Sequence, residues 1–201
     1  MSDAASAERT ATIVRKTKET DIEIVLALDG SGQYEVETGI PFFDHMLESF
    51  AKHALFDLRL AARGDIEVDF HHTVEDVGIA LGQAIREALG SASGISRFGQ
   101  CSLPMAEALV DVAVDVSNRP YLVYRVDLRN DRIGEFDPSL AEDFLQALAQ
   151  NAGLDLHVDL RYGRSPHHVI EAVFKGTARA LRAALAIDPR QTGLPTVKGA
   201  L

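Results

Sequence analysis

Apolar and polar residues alternate through ATIVRKTKET (11–20) and DIEIVLAL (21–28). This period of two marks half-buried strands and predicts two of them, joined near Glu19, Thr20 and Asp21. Asp29-Gly30-Ser31-Gly32 is a turn signal, and QYEVET predicts a third strand. After Thr38-Gly39-Ile40-Pro41 the pattern becomes helical for about twelve residues, including Asp44 and His45. Phe56–Ala62 and Ile66–Phe70 return to strand patterning. A long helix rich in good helix formers opens at His71 and runs to Leu89. Gly90-Ser91-Ala92-Ser93-Gly94 follows it as a joint.

The same plan recurs. Strands are predicted at Glu107–Val116 and Tyr121–Leu128, around Ser117-Asn118-Arg119-Pro120. Asp137-Pro138-Ser139 caps a helix reaching Asn151, and Leu154–Arg161 is a strand. Gly163-Arg164-Ser165-Pro166 leads into a last long helix that Pro189 stops. The tail TGLPTVKGAL is punctuated by Gly and Pro. HHTVEDVGIALGQAIREAL (71–89) aligns without gaps on HHVIEAVFKGTARALRAAL (167–185), with His71, His72, Glu75, Val77, Ala84, Arg86, Ala88 and Leu89 repeated. The period is too long for a solenoid. It predicts two related halves, 1–95 and 96–201, in one catalytic unit. The fold class is α+β, each half a roughly four-stranded sheet with helices on one face.

The duplicated element carries the chemistry. His71-His72-x-x-Glu75 returns as His167-His168-x-x-Glu171. On a helix the first histidine and the glutamate are at i,i+4 and the second histidine at i,i+3, so the carboxylate can share a face with either ring. The two rings of a pair diverge by about 100°. Each element therefore offers ligands in two directions, which suits two ions shared between two elements. Imidazole and carboxylate are the usual ligands of Mn, Fe, Zn or Ni. With His45 and His157 the candidates number eight, enough for two sites of four. His53 is read as structural or surface.

Composition narrows the setting. The 201 residues are 46% apolar and 25% charged, ordinary for one globular core. No apolar run approaches the roughly 18–20 residues that span a bilayer, so no membrane partner is expected. The opening MSDAASAERT lacks a signal-peptide pattern and reads as a short disordered leader. One cysteine, Cys101, fits a reducing, cytoplasmic setting. The net charge of −10 argues against nucleic acid as a partner but permits a small phosphorylated substrate in a local basic pocket.

Several further segments stand in a recognisable order: RKTKET (15–20), GIPFFDHML (39–47), SGISRFG (93–99), SNRPYL (117–122), DLHV (155–158) and LPTVKG (194–199), around the two HHxxE helices. With them the chain resembles the imidazoleglycerol-phosphate dehydratase family over nearly its whole length, in its monofunctional form. The resemblance implies a fold like the second domain of ribosomal protein S5. It implies a hydro-lyase of histidine biosynthesis that removes water from D-erythro-imidazole glycerol phosphate to give imidazole acetol phosphate. It also implies two Mn2+ ions per active site and a homo-oligomer of 24 subunits built from trimers, with active sites at subunit interfaces.

For the reaction, the resemblance implies a metal-held imidazolate that helps expel the C3 hydroxyl through a diazafulvene-like intermediate, then loss of the C2 proton. One ion would take His45, His72, His168 and Glu75, the other His71, His157, His167 and Glu171. Glu19 is expected as the general acid/base and substrate contact. Arg97, Arg119, Lys175, Thr196 and Lys198 are expected on the substrate and its phosphate. Ala106 and Val197 depart from the family's usual residues, as does Arg164-Ser165-Pro166. On the residues alone, a dinuclear phosphoesterase and a non-enzymatic metal-binding assembly remain alternatives.

Overall fold

The computed structural model describes residues 9–128 and 132–199, so the expected disordered leader lies mostly outside the described residues. The first half runs β1 (Thr10–Lys16), β2 (Thr20–Ala27), β3 (Tyr34–Glu37), α1 (Pro41–Ala54), β4 (Asp57–Gly64) and α2 (His71–Leu89). The second runs β5 (Phe98–Met105), β6 (Ala108–Asp115), β7 (Tyr121–Arg125), α3 (Leu140–Ala152), β8 (Asp155–Tyr162) and α4 (Pro166–Leu185). Each half forms its own four-stranded sheet, in the orders β1-β2-β4-β3 and β5-β6-β8-β7. In each, three strands are antiparallel, and the short edge strand lies parallel to its neighbour. The duplicated α+β plan is thus real at the level of topology.

Alternation explains the layers. On β2, Thr20, Ile22, Ile24 and Leu26 are buried while Asp21 and Glu23 are exposed, so one sheet face meets the helices and the other faces outward. The helices lie between the two sheets. α2 rests on β1 and β2, α4 on β5 and β6, and across the middle α2 packs on α3 and α1 on α4. One apolar cluster spans both halves. At its centre Phe43 of the first half meets Phe144 edge-on at 5.4 Å, and Phe144 stacks on Phe174 at 5.1 Å. Neither half could bury its helices alone.

The α2–α3 contact is close because α2 carries glycine twice, one turn apart. A Cβ on Gly78 would lie 2.6 Å from the Phe144 carbonyl oxygen, and one on Gly82 2.7 Å from that of Leu148. Gly82→Ala therefore sets about 1 kcal/mol of helix propensity against overpacking of about 1–3 kcal/mol against backbone that cannot turn aside. The expected outcome is net destabilisation, read as a lower urea midpoint at unchanged slope. A midpoint at or above that of the parent chain would show that the helices can separate without loss.

Two expectations need correction. Ile66–Phe70 is a turn and not a strand: Val68 is 68% exposed and its N–H donates to the Asp65 carbonyl. The I-E-V-D-F alternation imitates a strand, but these residues deliver the chain into α2, where Asp69 accepts the His71 N–H at 2.8 Å. The converse error is β5, a full strand that the sequence reading passed over although Cys101, Leu103 and Met105 alternate with Gln100, Ser102 and Pro104. Only Leu103 of its eight residues is buried, and Pro104 sits inside it. Such a sequence is tolerated because β5 is an edge strand. It covers α4 closely, for a Cβ on Gly99 would meet the Ala180 carbonyl oxygen at 2.0 Å.

Candidate active site and metal centre

Both HHxxE elements open a helix, so their side chains emerge at helix N-termini. On α2, His71 Nε2 lies 3.9 Å from Glu75 Oε2. The other face of each ring meets a carboxylate. His71 Nδ1 is 3.2 Å from Asp143 on α3, and His72 Nδ1 is 3.0 Å from Asp65, just beyond β4. The Asp65 contact is the chief reason that the His72 ring titrates above its ordinary value, with Glu19 adding charge. Glu19, in the β1–β2 turn, has Oε2 4.0 Å from the same Nδ1.

On α4, Ser165 caps the helix, accepting from the His168 N–H at 3.5 Å. His168 Nδ1 is 2.7 Å from Glu107 Oε2. Glu107 also accepts the N–H of Ser165 at 2.8 Å and of Arg164 at 3.2 Å. The Ser165 bond, then the His168 ring, hold its carboxyl down at about 2. Deeper along α4, Glu171 Oε2 lies 3.4 Å from His167 Nε2, and Oε1 lies 4.0 Å from His45 Nε2 of α1. One ligand atom from each of His45, His167 and Glu171 fits within 4.8 Å of the others. Two imidazoles and a carboxylate at that separation suit a divalent ion with positions to spare. Lys175 Nζ donates to Glu171 Oε1 at 2.5 Å. Burial alone would raise the Glu171 carboxyl, but Lys175 and the two rings more than offset it and the group titrates below its usual range.

The chain thus gathers two separate half-centres. His45 sits with His167 and Glu171, across the division of ligands expected from the sequence. Counted back from the left-handed caps Leu55 and Gly153, His45 on α1 and Asp143 on α3 occupy equivalent places, ten residues before each cap. His157 joins neither group. It is exposed on the outer face of the second sheet and lines a cavity of about 610 Å3 with Gln100, Asp111, Arg125 and Asp159. Arg97, Arg119, Thr196 and Lys198 do converge, around a cavity of about 820 Å3. Arg97 has φ 70°, pairs with Asp115 at 2.7 Å, and holds the tail by donating to the Pro195 carbonyl at 3.0 Å. Lys175 is not among that cavity's lining.

The family model for imidazoleglycerol-phosphate dehydratase matches residues 38–181. The chain belongs to that family. An imidazoleglycerol-phosphate dehydratase of Rhodopseudomonas palustris strain TIE-1 is 57% identical over 194 residues, 96% of this chain and 98% of that protein. One from Geobacter metallireducens is 54% identical over 193 residues, 96% of this chain and 99% of the relative. The crystal structure of the Staphylococcus aureus dehydratase superposes with a TM-score of 0.81 at 36% identity, over 89% of this chain and 99% of its own. That of Pyrococcus furiosus, in complex with (S)-C348, gives 0.82 at 38% identity over 94% and 100%. The chain is therefore a hydro-lyase of histidine biosynthesis.

For an imidazoleglycerol-phosphate dehydratase, the RKTKET segment now has a physical reason. Thr20 donates to Asp76 Oδ2 at 2.5 Å and Arg15 to Asp76 Oδ1 at 2.8 Å. Thr17 Oγ1 accepts the N–H of Glu19 and of Thr20. Asp76 is buried one residue after Glu75. The turn that carries Glu19 is thus bolted to the helix that carries the histidines, a link that the sequence reading missed. Asp76→Asn keeps the shape and removes the charge, and is expected to cost about 1–3 kcal/mol and to lower turnover further by loosening Glu19. Denaturant midpoints and kcat measured together check this; unchanged values of both would make Asp76 incidental.

Proposed function

We propose that this dehydratase works in the cytoplasm on D-erythro-imidazole glycerol phosphate with two Mn2+ ions per site. The ligands are His45, His71, His72, Glu75, His157, His167, His168 and Glu171. The observation that carries the reading is the joining of His45, His167 and Glu171 from two helices of different halves within 4.8 Å. When bound, the ions supply positive charge to a deprotonated imidazole ring, which favours loss of the C3 hydroxyl. Glu19 takes the proton from C2 and delivers a proton to C3 as the enol becomes the ketone. Arg97, Arg119, Thr196 and Lys198 hold the phosphate, with the tail folded over it. Lys175 belongs to this set: once Glu171 is committed to an ion, its ammonium is available to an anion.

The outward position of His157 supports a homo-oligomer, because a centre that includes it must draw on a second copy of the chain. A 24-subunit particle with sites at interfaces accords with that need. The test is turnover by the metal-stripped protein with and without Mn2+. Product retaining its phosphate ester, formed only with the ion, is the expected result. No product despite measured manganese loading, or release of inorganic phosphate, would overturn the proposal.

A further inference from the structure

The duplication poses a question that the reaction alone does not answer. Each half has a hairpin joining its first two strands, and each hairpin carries a glutamate immediately before the second strand: Glu19 before Thr20, Glu107 before Ala108. Each points at Nδ1 of the second histidine of its own HHxxE pair. The two contacts differ. Glu107 touches His168 Nδ1 at 2.7 Å, whereas Glu19 stands 4.0 Å from His72 Nδ1. The partner of His72 is Asp65, at 3.0 and 3.3 Å.

The difference lies in the residue that follows a glycine shared by both halves. Gly64 and Gly163 occupy equivalent places: a Cβ on Gly64 would meet Thr73 Oγ1 at 2.0 Å and Thr20 Cγ2 at 3.4 Å, and one on Gly163 would meet Val169 Cγ2 at 2.5 Å and Ala108 Cβ at 3.0 Å. The next residue is Asp65 in the first half and Arg164 in the second. An arginine side chain has no acceptor to offer a ring N–H, and the Arg164 backbone N–H itself donates to Glu107 at 3.2 Å, so in the second half the hairpin glutamate holds the histidine. In the first half Asp65 holds it, and the hairpin glutamate is left over. The Asp65 N–H also donates to the Glu19 carbonyl at 3.1 Å, so the same residue fixes the turn beside it.

We infer that Asp65 and Glu107 are paired positioning residues of the metal centre, and that Asp65 frees Glu19 for the substrate by taking the place Glu107 holds in the other half. Each accepts Nδ1–H of its histidine and so leaves the bare Nε2 for an ion, the arrangement that makes imidazole a good ligand. The halves have diverged in which carboxylate does this, and only one hairpin glutamate is free. The inference rests on the proposed ligand role of His72 and His168.

The test reads metal binding and not turnover. The full-length, metal-stripped chain is titrated with Mn2+, with free ion followed by its electron paramagnetic resonance signal. In Glu107→Gln, the amide oxygen stays with the Ser165 and Arg164 N–H groups and its NH2 faces Nδ1. That favours the wrong tautomer of His168, and affinity at one class of site is expected to fall about 10–100-fold. Glu107→Asp, which keeps an acceptor, should recover part of it. Asp65→Ala alone should fall less, because Glu19 can move onto His72, and Asp65→Ala with Glu19→Gln should fall well beyond the sum of the two single changes. Native binding by Glu107→Gln, or an additive cycle at Asp65 and Glu19, would overturn the inference. His168→Ala separates the levels: if it binds Mn2+ as the parent does, the ligand assignment itself fails and the inference with it.

Discussion

Glu19→Gln is expected to fold, to bind metal and substrate, and to lose turnover by about 10²–10⁴-fold, the range that a positioned proton-transfer group supplies. The side chain is half exposed, and its Oε2 lies 4.0 Å from His72 Nδ1. What holds the turn in place is the backbone and its neighbours: Thr17 accepts the Glu19 N–H, and Thr20 and Arg15 anchor on Asp76. Glutamine has nearly the same shape and disturbs none of these bonds, so the substitution removes the ability to carry a proton and little else. Single-turnover rates, Mn2+ content and substrate affinity should be measured on the same preparation. Turnover within a few-fold of the parent would remove Glu19 from the chemistry. Loss of Mn2+ would make it a ligand.

The site was legible in the sequence where chemistry and periodicity coincide. The two HHxxE elements could be placed on helices because the apolar residues after each repeat at helical spacing, and both do start helices, at His71 and one residue before His167. The hairpin at 11–28 was legible for the same reason, with a period of two. The carboxylates behind the rings were not. Asp143 reaches His71 across 72 residues and Glu107 reaches His168 across 61; the helix and the strand that carry them were legible, but no periodicity shows which polar group of one element meets a ring on another. Asp65 is only seven residues from His72, yet it was hidden by the mistaken strand at 66–70. Periodicity sees side chains that point into a core. It is weak at an exposed edge such as β5, where a proline interrupts a faint alternation, and it misses polar groups that meet through the packing of separate elements.

This matters for how the duplication is read. Equivalent helices carry equivalent ligand candidates, but their partners differ: His45 stands where the other half has Asp143, and Asp65 meets His72 as Glu107 meets His168. A symmetric scaffold fixes where side chains can project, and small local changes such as Asp65 against Arg164 decide which of them is left free. That accounts for a single proposed acid/base group, Glu19, in a chain whose two halves would otherwise offer two.

Glu171→Gln is expected to have the other large effect, on metal and stability together. Glu171 is the most enclosed ligand candidate, with its side chain 8% exposed, and it faces His45, His167 and Lys175 at once. Its loss should weaken Mn2+ binding by more than the 10–100-fold typical of groups that only orient a ligand. Glutamine can still accept from Lys175, but the partly buried ammonium loses its counter-charge, a cost of about 1–3 kcal/mol. Metal that binds only the folded state stabilises it, so the midpoint difference from the parent should widen as Mn2+ is added. If a second copy supplies His157, the assembly should dissociate as well, which sedimentation would detect. A Glu171→Gln protein with full manganese content would contradict the ligand assignment. One that loses metal yet keeps its assembly would leave the ligand in place and show that association does not depend on the ion.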